Sequence, residues 1–366
     1  MRDMHLEVST LLKAVSKANP TAAVENVVAA KASALIKSTA SIIVATTMCC
    51  NLCAASEWYA YVDGRITLGR SGSAELTYLT DPELDDYKPV PSPDGSQVGF
   101  FHVVDYNEGT DLTWRTQIAV MNADGSDLRY LTAPEQLNTN PQWTRDGSNR
   151  LFWTRVEHYI NLFGTIVPTS MQVYWTKPDA MPGEEQKISA GGLWPWVFVY
   201  SGLRDGRLFV RKDGLNSYWL MTPNPTGDAV FEEVSYPFGN TLLHKVTISP
   251  SENRIAYMKV SDAGLFTNVT PRTYTGAVIA YADFDAETLQ ISNEVEVTTL
   301  NEEGVDWYAS WSPDESRILY ACAGPCPAGK SKGQIYEYDL RTKQVVKVSA
   351  NDELDFRYPA YKGTVK

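Results

Sequence analysis

Six short segments of this sequence could do chemistry: Asp86-Tyr87, Asn138-Thr139, Leu193-Trp194, Leu243-His244, Asp306-Trp307 and Phe356-Arg357. Each stands a few residues ahead of a turn followed by an apolar run. Together they offer carboxylates, amides, aromatic rings, one imidazole and one guanidinium. Aromatic faces beside carboxylates and amides suit a carbohydrate ring or an extended peptide, and a protein anchor draws on the same Trp, Tyr and Arg. Asp86 and Asp306, set opposite each other, could act as general acid and base on a polysaccharide. The same side chains could instead fill the centre of the fold and bond neighbouring loops. The acidic loops Asp81–Asp86, Asn301–Asp306 and Asn351–Asp355 could hold Ca²⁺, which prefers several oxygen ligands. None follows the spacing of an EF-hand loop, and solvated loop charge explains them as well.

Several chemistries are poorly served. The chain has four histidines, His5, His102, His158 and His244, with no His-x-His pair. No Gly-x-Ser-x-Gly nucleophile turn occurs. Net charge is −12 over 366 residues, a field that repels phosphate backbones and disfavours nucleic acid as a partner. Of five cysteines, Cys49, Cys50 and Cys53 lie near the N-terminus, and Cys322 and Cys326 flank Ala-Gly-Pro. In an oxidising compartment the last two are expected to pair as a disulfide clipping a hairpin loop. A metal site would need two more ligands nearby, and the spacing is not the Cys-x-x-Cys of redox proteins.

The elements that position these residues are strands. At Tyr87–Thr132 a Pro-Asp-Gly turn precedes an apolar run, and an Asp-Gly turn then separates an alternating strand from a Leu-Thr ending. Asp-Gly between apolar runs marks a hairpin, because Gly takes positive φ without a Cβ clash and Asp bonds its own backbone. The stretch reads as a four-stranded antiparallel meander, and copies follow. The turn acid recurs at Asp94, Asp146, Asp205, Glu252 and Asp314, with spacings of 52, 59, 47 and 62 residues. Copy three is the loosest, opening at Trp194-Pro-Trp196. A period of this size means an array or a ring.

The two ends complete each other. Arg357-Tyr-Pro-Ala-Tyr361 starts a further copy, while Trp58–Val62, Arg65–Arg70 and Glu75–Thr80 are three strands lacking a first one. Joined, they make one blade and close the ring without an open sheet edge. The expected fold is all-β: a six-bladed β-propeller of four-stranded antiparallel blades over 56–366, closed by N- and C-terminal strands sharing one blade. On a propeller the six segments above gather at the mouth of the central channel.

Residues 1–55 read as a secretory signal peptide with an N-terminal extension. Lys31 and Lys37 flank an uncharged apolar run at Ile42–Met48, and Cys53-Ala54-Ala55 supplies a small-residue cleavage site. That run is shorter than the roughly 20 residues a membrane span needs. The mature protein is expected to be periplasmic or secreted, monomeric and without a transmembrane span.

The Ser-Pro-Asp-Gly turn at Ser92–Gly95, Trp311-Ser-Pro-Asp314, and Ile118-Ala-Val-Met-Asn-Ala-Asp124-Gly125 leading to Leu131-Thr132 resemble the TolB-like six-bladed propeller family over essentially all of 57–366. The resemblance implies architecture rather than function, since these motifs encode turns and core aromatics. TolB itself carries an α/β domain ahead of its propeller, and here the propeller is expected directly after the signal, so no Tol-system role is carried over. Oligogalacturonate lyases, with a related propeller, use a histidine cluster that this chain lacks, and no hydrolase domain follows the propeller as it does in prolyl-oligopeptidase relatives. The expected function is a non-catalytic module binding a protein or glycan at its channel face through Asp86, Tyr87, Asn138, Trp194, His244, Asp306, Trp307 and Arg357. No cofactor is called for beyond the Ca²⁺ option. The enzymatic alternative, a lyase or hydrolase, would use the carboxylates of the mouth.

Overall fold

The computed structural model describes residues 56–106, 114–160, 166–192, 195–213, 217–238, 242–260, 277–297, 305–323 and 332–363, all within one compact unit, Ala55–Lys366. The segment expected to be a signal peptide, 1–55, lies outside them. The described residues form 24 strands and no helix.

The strands make four sheets, two of four strands and two of eight. Each eight-stranded sheet is a pair of antiparallel meanders joined through a single parallel pairing, Thr116↔Leu137 in one and Ala277↔Val305 in the other. The architecture is a β-propeller of four-stranded antiparallel blades. As the sequence led us to expect, Glu57–Val62 pairs with Phe356–Tyr361, in the register Trp58↔Tyr361 and Val62↔Phe356. The two chain ends therefore share one blade.

The repeat residues hold this frame by side-chain bonds to the backbone. In the turn after the first strand of a blade, Ser92 donates to Asp94 (2.6 Å), Asp94 accepts from the Ser96 amide (3.0 Å), and the Ser92 hydroxyl accepts from the Gln97 amide (3.0 Å). Ser312, Asp314, Ser316 and Arg317 repeat the pattern. The Leu-Thr endings, and Val348-Ser349 in the same place, have their own job: Thr80, Thr132 and Ser349 each accept from a buried amide, of Ile66, Ile118 and Ile335 respectively, at 2.9 to 3.1 Å. Such pairing satisfies donors that the sheet leaves open just past the end of the outermost strand.

Tryptophans of the repeat tie one blade to the next. The Trp143 indole donates to the Val90 carbonyl (2.9 Å) and the Trp311 indole to the Thr247 carbonyl (3.3 Å). The core lies between neighbouring meanders: Trp58, Ala60 and Val62 pack against Leu319 and Ile335, and Tyr59 and Ile66 against Val98, Phe100 and Met121. Gly69 leaves room for the Trp58 ring, since a Cβ there would lie 2.3 Å from it.

Candidate functional site

The first strand of every meander faces a common axis. These strands are Asp86–Pro91, Leu137–Trp143, Val197–Gly202, Leu242–Ile248, Val305–Trp311 and Phe356–Tyr361. All contribute to one cavity of about 710 Å³, within the range of small-molecule sites, roughly 300–1,000 Å³.

Each of these strands carries an irregularity in its pairing, as between Tyr87 and Val90, Thr139 and Gln142, His244 and Thr247, and Trp307 and Ser310. At the irregular point the backbone turns left-handed, with φ of 54° at Lys88, 61° at Asn140, 55° at Lys245, and 53° at both Tyr308 and Tyr358. Positive φ is uncommon in residues other than glycine, and for aromatics and lysines it is held only by the surrounding sheet. A bulge re-aims a side chain. Here it turns Lys88, Asn140, Lys245, Tyr308 and Tyr358 onto the cavity wall, with Tyr200 in the matching place on Val197–Gly202.

The electrostatics of the wall run against those of the molecule. Among the described lining residues the charged groups are Lys88, Arg145, Arg204, Lys245 and Asp314. Arg145 is satisfied by the carbonyls of Ser249 and Ile248 (2.7 and 2.9 Å), and Asp314 by Ser312 and Ser316. Lys88 and Lys245 make no hydrogen bond or ion pair with the described residues. Instead both ammoniums approach the Tyr308 ring, at 5.8 and 5.1 Å from its centre, and Lys245 also approaches Phe198 at 5.3 Å. Burial, with Arg211 nearby, pushes the Lys245 ammonium down to about 7. Burial and Lys245 push Lys88 well below the usual lysine range. Burial and the same cations hold the His244 imidazole neutral, well below its ordinary value.

The residues singled out from sequence are placed as follows. Tyr87 stacks between Tyr61 (4.5 Å) and Phe101 (5.5 Å) and meets Tyr358 edge-on. Arg357, on the exposed side of this cluster, bonds Asp355 (2.6 Å) and lies 5.9 Å from the Tyr61 ring. His244 shares a hydrogen bond with the Tyr200 hydroxyl (3.2 Å). These three stand on strands that line the cavity, next to the residues that form its wall. Asp86 is fully buried and paired with His102 (3.0 Å), inside its blade. Asn138 is equally buried, bonding Thr116, Thr132, Trp153 and Arg155. Trp194 lies outside the described residues, as do the side chains of Asp306 and Trp307, whose backbone is in Val305–Trp311. Tyr87, His244 and Arg357 therefore each stand one residue before a cavity-lining side chain without lining the cavity themselves, and Asp86 and Asn138 sit inside their blades.

The third repeat begins later than the sequence indicated. Its first strand starts at Val197, not at Trp194, and Leu203 occupies the place that Ser92 holds in the first repeat, with Arg207 bonding Asp205 (2.9 Å). No proline marks its bulge, which is why alignment on Pro195 set it too early. Cys322 is disulfide-bonded, and Cys326 lies outside the described residues. No group of three or more His, Cys, Asp or Glu gathers among the described residues in a way that could hold a metal. Within the acidic loops, Asp81 and Asn351 accept from the amides of Glu83 and Glu353, closing the loops on themselves.

Sequence reasoning missed Lys88 and Lys245. One signal was present: Lys88, Asn140 and Tyr308 each precede a turn aspartate, Asp94, Asp146 and Asp314, by six residues. The residue type there varies, so the position looked like any other in a strand.

Comparison with known proteins bears on the fold. No family model matches the chain, and no curated protein matches it by sequence. Among solved structures it is similar to TolB from Acinetobacter baumannii, at 13% identity and a TM-score of 0.55, over 84% of this chain and 67% of that one. It is also similar to hydrazine synthase of Kuenenia stuttgartiensis, at 16% identity and a TM-score of 0.57, over 85% of this chain and 47% of that one. The chain thus spans about half the length of the latter. These likenesses establish a TolB-like propeller fold. No helix among the described residues is long and apolar enough to cross a membrane.

Proposed function

We propose that this chain is an exported, monomeric binding protein, not an enzyme, which recognises a protein or glycan at the channel face of a six-bladed propeller formed by 56–366. Residues 1–55 act as the signal peptide with its extension, and delivery is to the periplasm or cell exterior, where Cys322 pairs with Cys326. The observation that carries the reading is the shared cavity, onto which the first strand of every meander turns a bulged side chain. A path of rings leads to it: Tyr61, Tyr87, Tyr358 and Tyr308 touch in sequence from exposed Arg357 inward, with Tyr308 and Tyr358 only 4.3 Å apart. Large rings of this kind give contact area at low entropic cost. Asp86 engaged by His102 speaks for binding over acid/base cleavage, because a carboxylate held inside a blade is out of reach of a glycosidic oxygen.

The test is a pull-down and glycan-array screen with mature protein, wild type beside a variant with Trp194, His244, Trp307 and Arg357 all changed to Ala. Wild type should retain a partner and the variant should lose it at least tenfold, with an unchanged circular dichroism spectrum. Equal capture by a folded variant overturns the placement on this face.

A further inference from the structure

We propose that the channel cavity binds a small polyhydroxylated carboxylate, its anionic group held between Lys88 and Lys245 and one of its hydroxyls donating to the Oδ1 of Asn140. This names a ligand for the face proposed above and rests on that reading.

Three observations converge. Lys88 is 9% exposed and Lys245 half-buried, both on the cavity wall, and neither has a carboxylate partner among the described residues. Burying one ammonium without an opposite charge is costly, and burying two that repel each other is more so. A fold keeps such a pair where something else supplies the anion. The cost falls within a molecule of net charge −12, in which acidic residues are plentiful and could have been placed opposite them.

The second observation concerns the amide. Asn140 is 1% exposed and its Nδ2 donates to the Val199 carbonyl. Its Oδ1 is buried without a hydrogen-bond partner, on the same cavity wall as the two lysines. An unfilled acceptor beside two unfilled cations asks for a ligand with both a donor and a negative charge.

Ring faces supply the third. Tyr308, which both ammoniums approach, and Tyr358 beside it present apolar surface on which a six-membered ring of a hydroxylated acid can rest. Uncharged sugars would leave the lysines unpaired, and a plain fatty acid would leave Asn140 unpaired. The cavity of about 710 Å³ suits a free small molecule.

A matched set of six-membered rings tests each part: quinate carries charge and hydroxyls, myo-inositol hydroxyls alone, and cyclohexanecarboxylate charge alone. Isothermal titration of the mature protein at pH 6 and low salt should show quinate binding at least tenfold more tightly than either of the others. Binding by the Lys88→Met/Lys245→Met variant should be weaker by a further tenfold or more. Met keeps the length of the lysine stem and removes a buried charge, so this variant is expected to fold. Absence of quinate binding to the wild type overturns the ligand class, and equal binding by the double Met variant overturns its location. If quinate fails while the capture screen yields a partner that the alanine variant loses, this inference falls and the channel-face function stands.

Discussion

Deleting residues 356–366 is expected to abolish cooperative folding altogether. The strand Phe356–Tyr361 is the innermost member of a blade whose other strands are Glu57–Val62, Arg65–Arg70 and Leu76–Tyr78. Phe356, Ala360 and Tyr361 are buried, and Phe356 meets the fully buried Trp58 edge-on. Tyr361 also reaches the neighbouring meander: its backbone amide donates to the Ser310 hydroxyl (3.1 Å), and its own hydroxyl donates to Glu337 (2.6 Å). Each large side chain is worth about 1.5–3 kcal/mol of burial, and its loss exposes Trp58 and Val62 as well. The sum rivals the ~5–15 kcal/mol by which a domain is stable, and the unpaired edge of Glu57–Val62 invites aggregation. Thermal melting by circular dichroism with size-exclusion chromatography checks this. The truncated chain should show no sigmoidal transition and should elute as aggregate, whereas a transition near the full-length midpoint would show that the seam is dispensable.

Replacing Lys245 by Met is expected to stabilise the unliganded protein, and by most below neutral pH. The lysine side chain, ordinarily protonated up to about 10.5, is pushed down to about 7 by burial and by Arg211. Between those two values the unfolded chain holds the proton and the folded one releases it, so stability from this group rises with pH across the window. Below it the folded state carries the full cost of a buried charge. The groups facing Lys245 are Lys88, Arg211 and neutral His244, with Tyr308 and Phe198 supplying only ring faces. None of them compensates its charge. The gain in unfolding free energy for Lys245→Met should be of the order of a few kcal/mol at pH 6 and should shrink steadily toward pH 10. Urea denaturation of both proteins across pH 6–10 measures it. A variant less stable than wild type at pH 6 would mean that the ammonium has a favourable partner in the folded state.

Much of this frame was legible in the sequence, because the signals for it are local. Ser92-Pro93-Asp94-Gly95 and Trp311-Ser312-Pro313-Asp314 announce turns whose hydrogen bonds close within five residues. The pairing of the chain ends followed from counting strands, and Trp58↔Tyr361 is its outcome. The site was less legible. Asp86 and Asn138 sit where the inner strands begin, but strand alternation turns them into the blade, toward His102 and Trp153. What faces the axis is decided by a bulge, and bulges are held by tertiary pairing rather than by residue type. Lys88 and Tyr308 adopt the same left-handed backbone with no composition in common. Unpaired charge is also invisible in sequence: that Lys245 has no carboxylate opposite it among the described residues is a fact about five other strands.

Hydrogen–deuterium exchange with and without saturating quinate at pH 6 tests most directly the claim that the channel cavity holds a hydroxylated carboxylate. Protection is expected on the inner strands, around Lys88–Ser92 and Lys245–Ile248, with the outer strands Leu76–Tyr78, Val230–Glu233 and Val345–Lys347 unchanged. Protection confined to those outer strands, or no change anywhere, would contradict it.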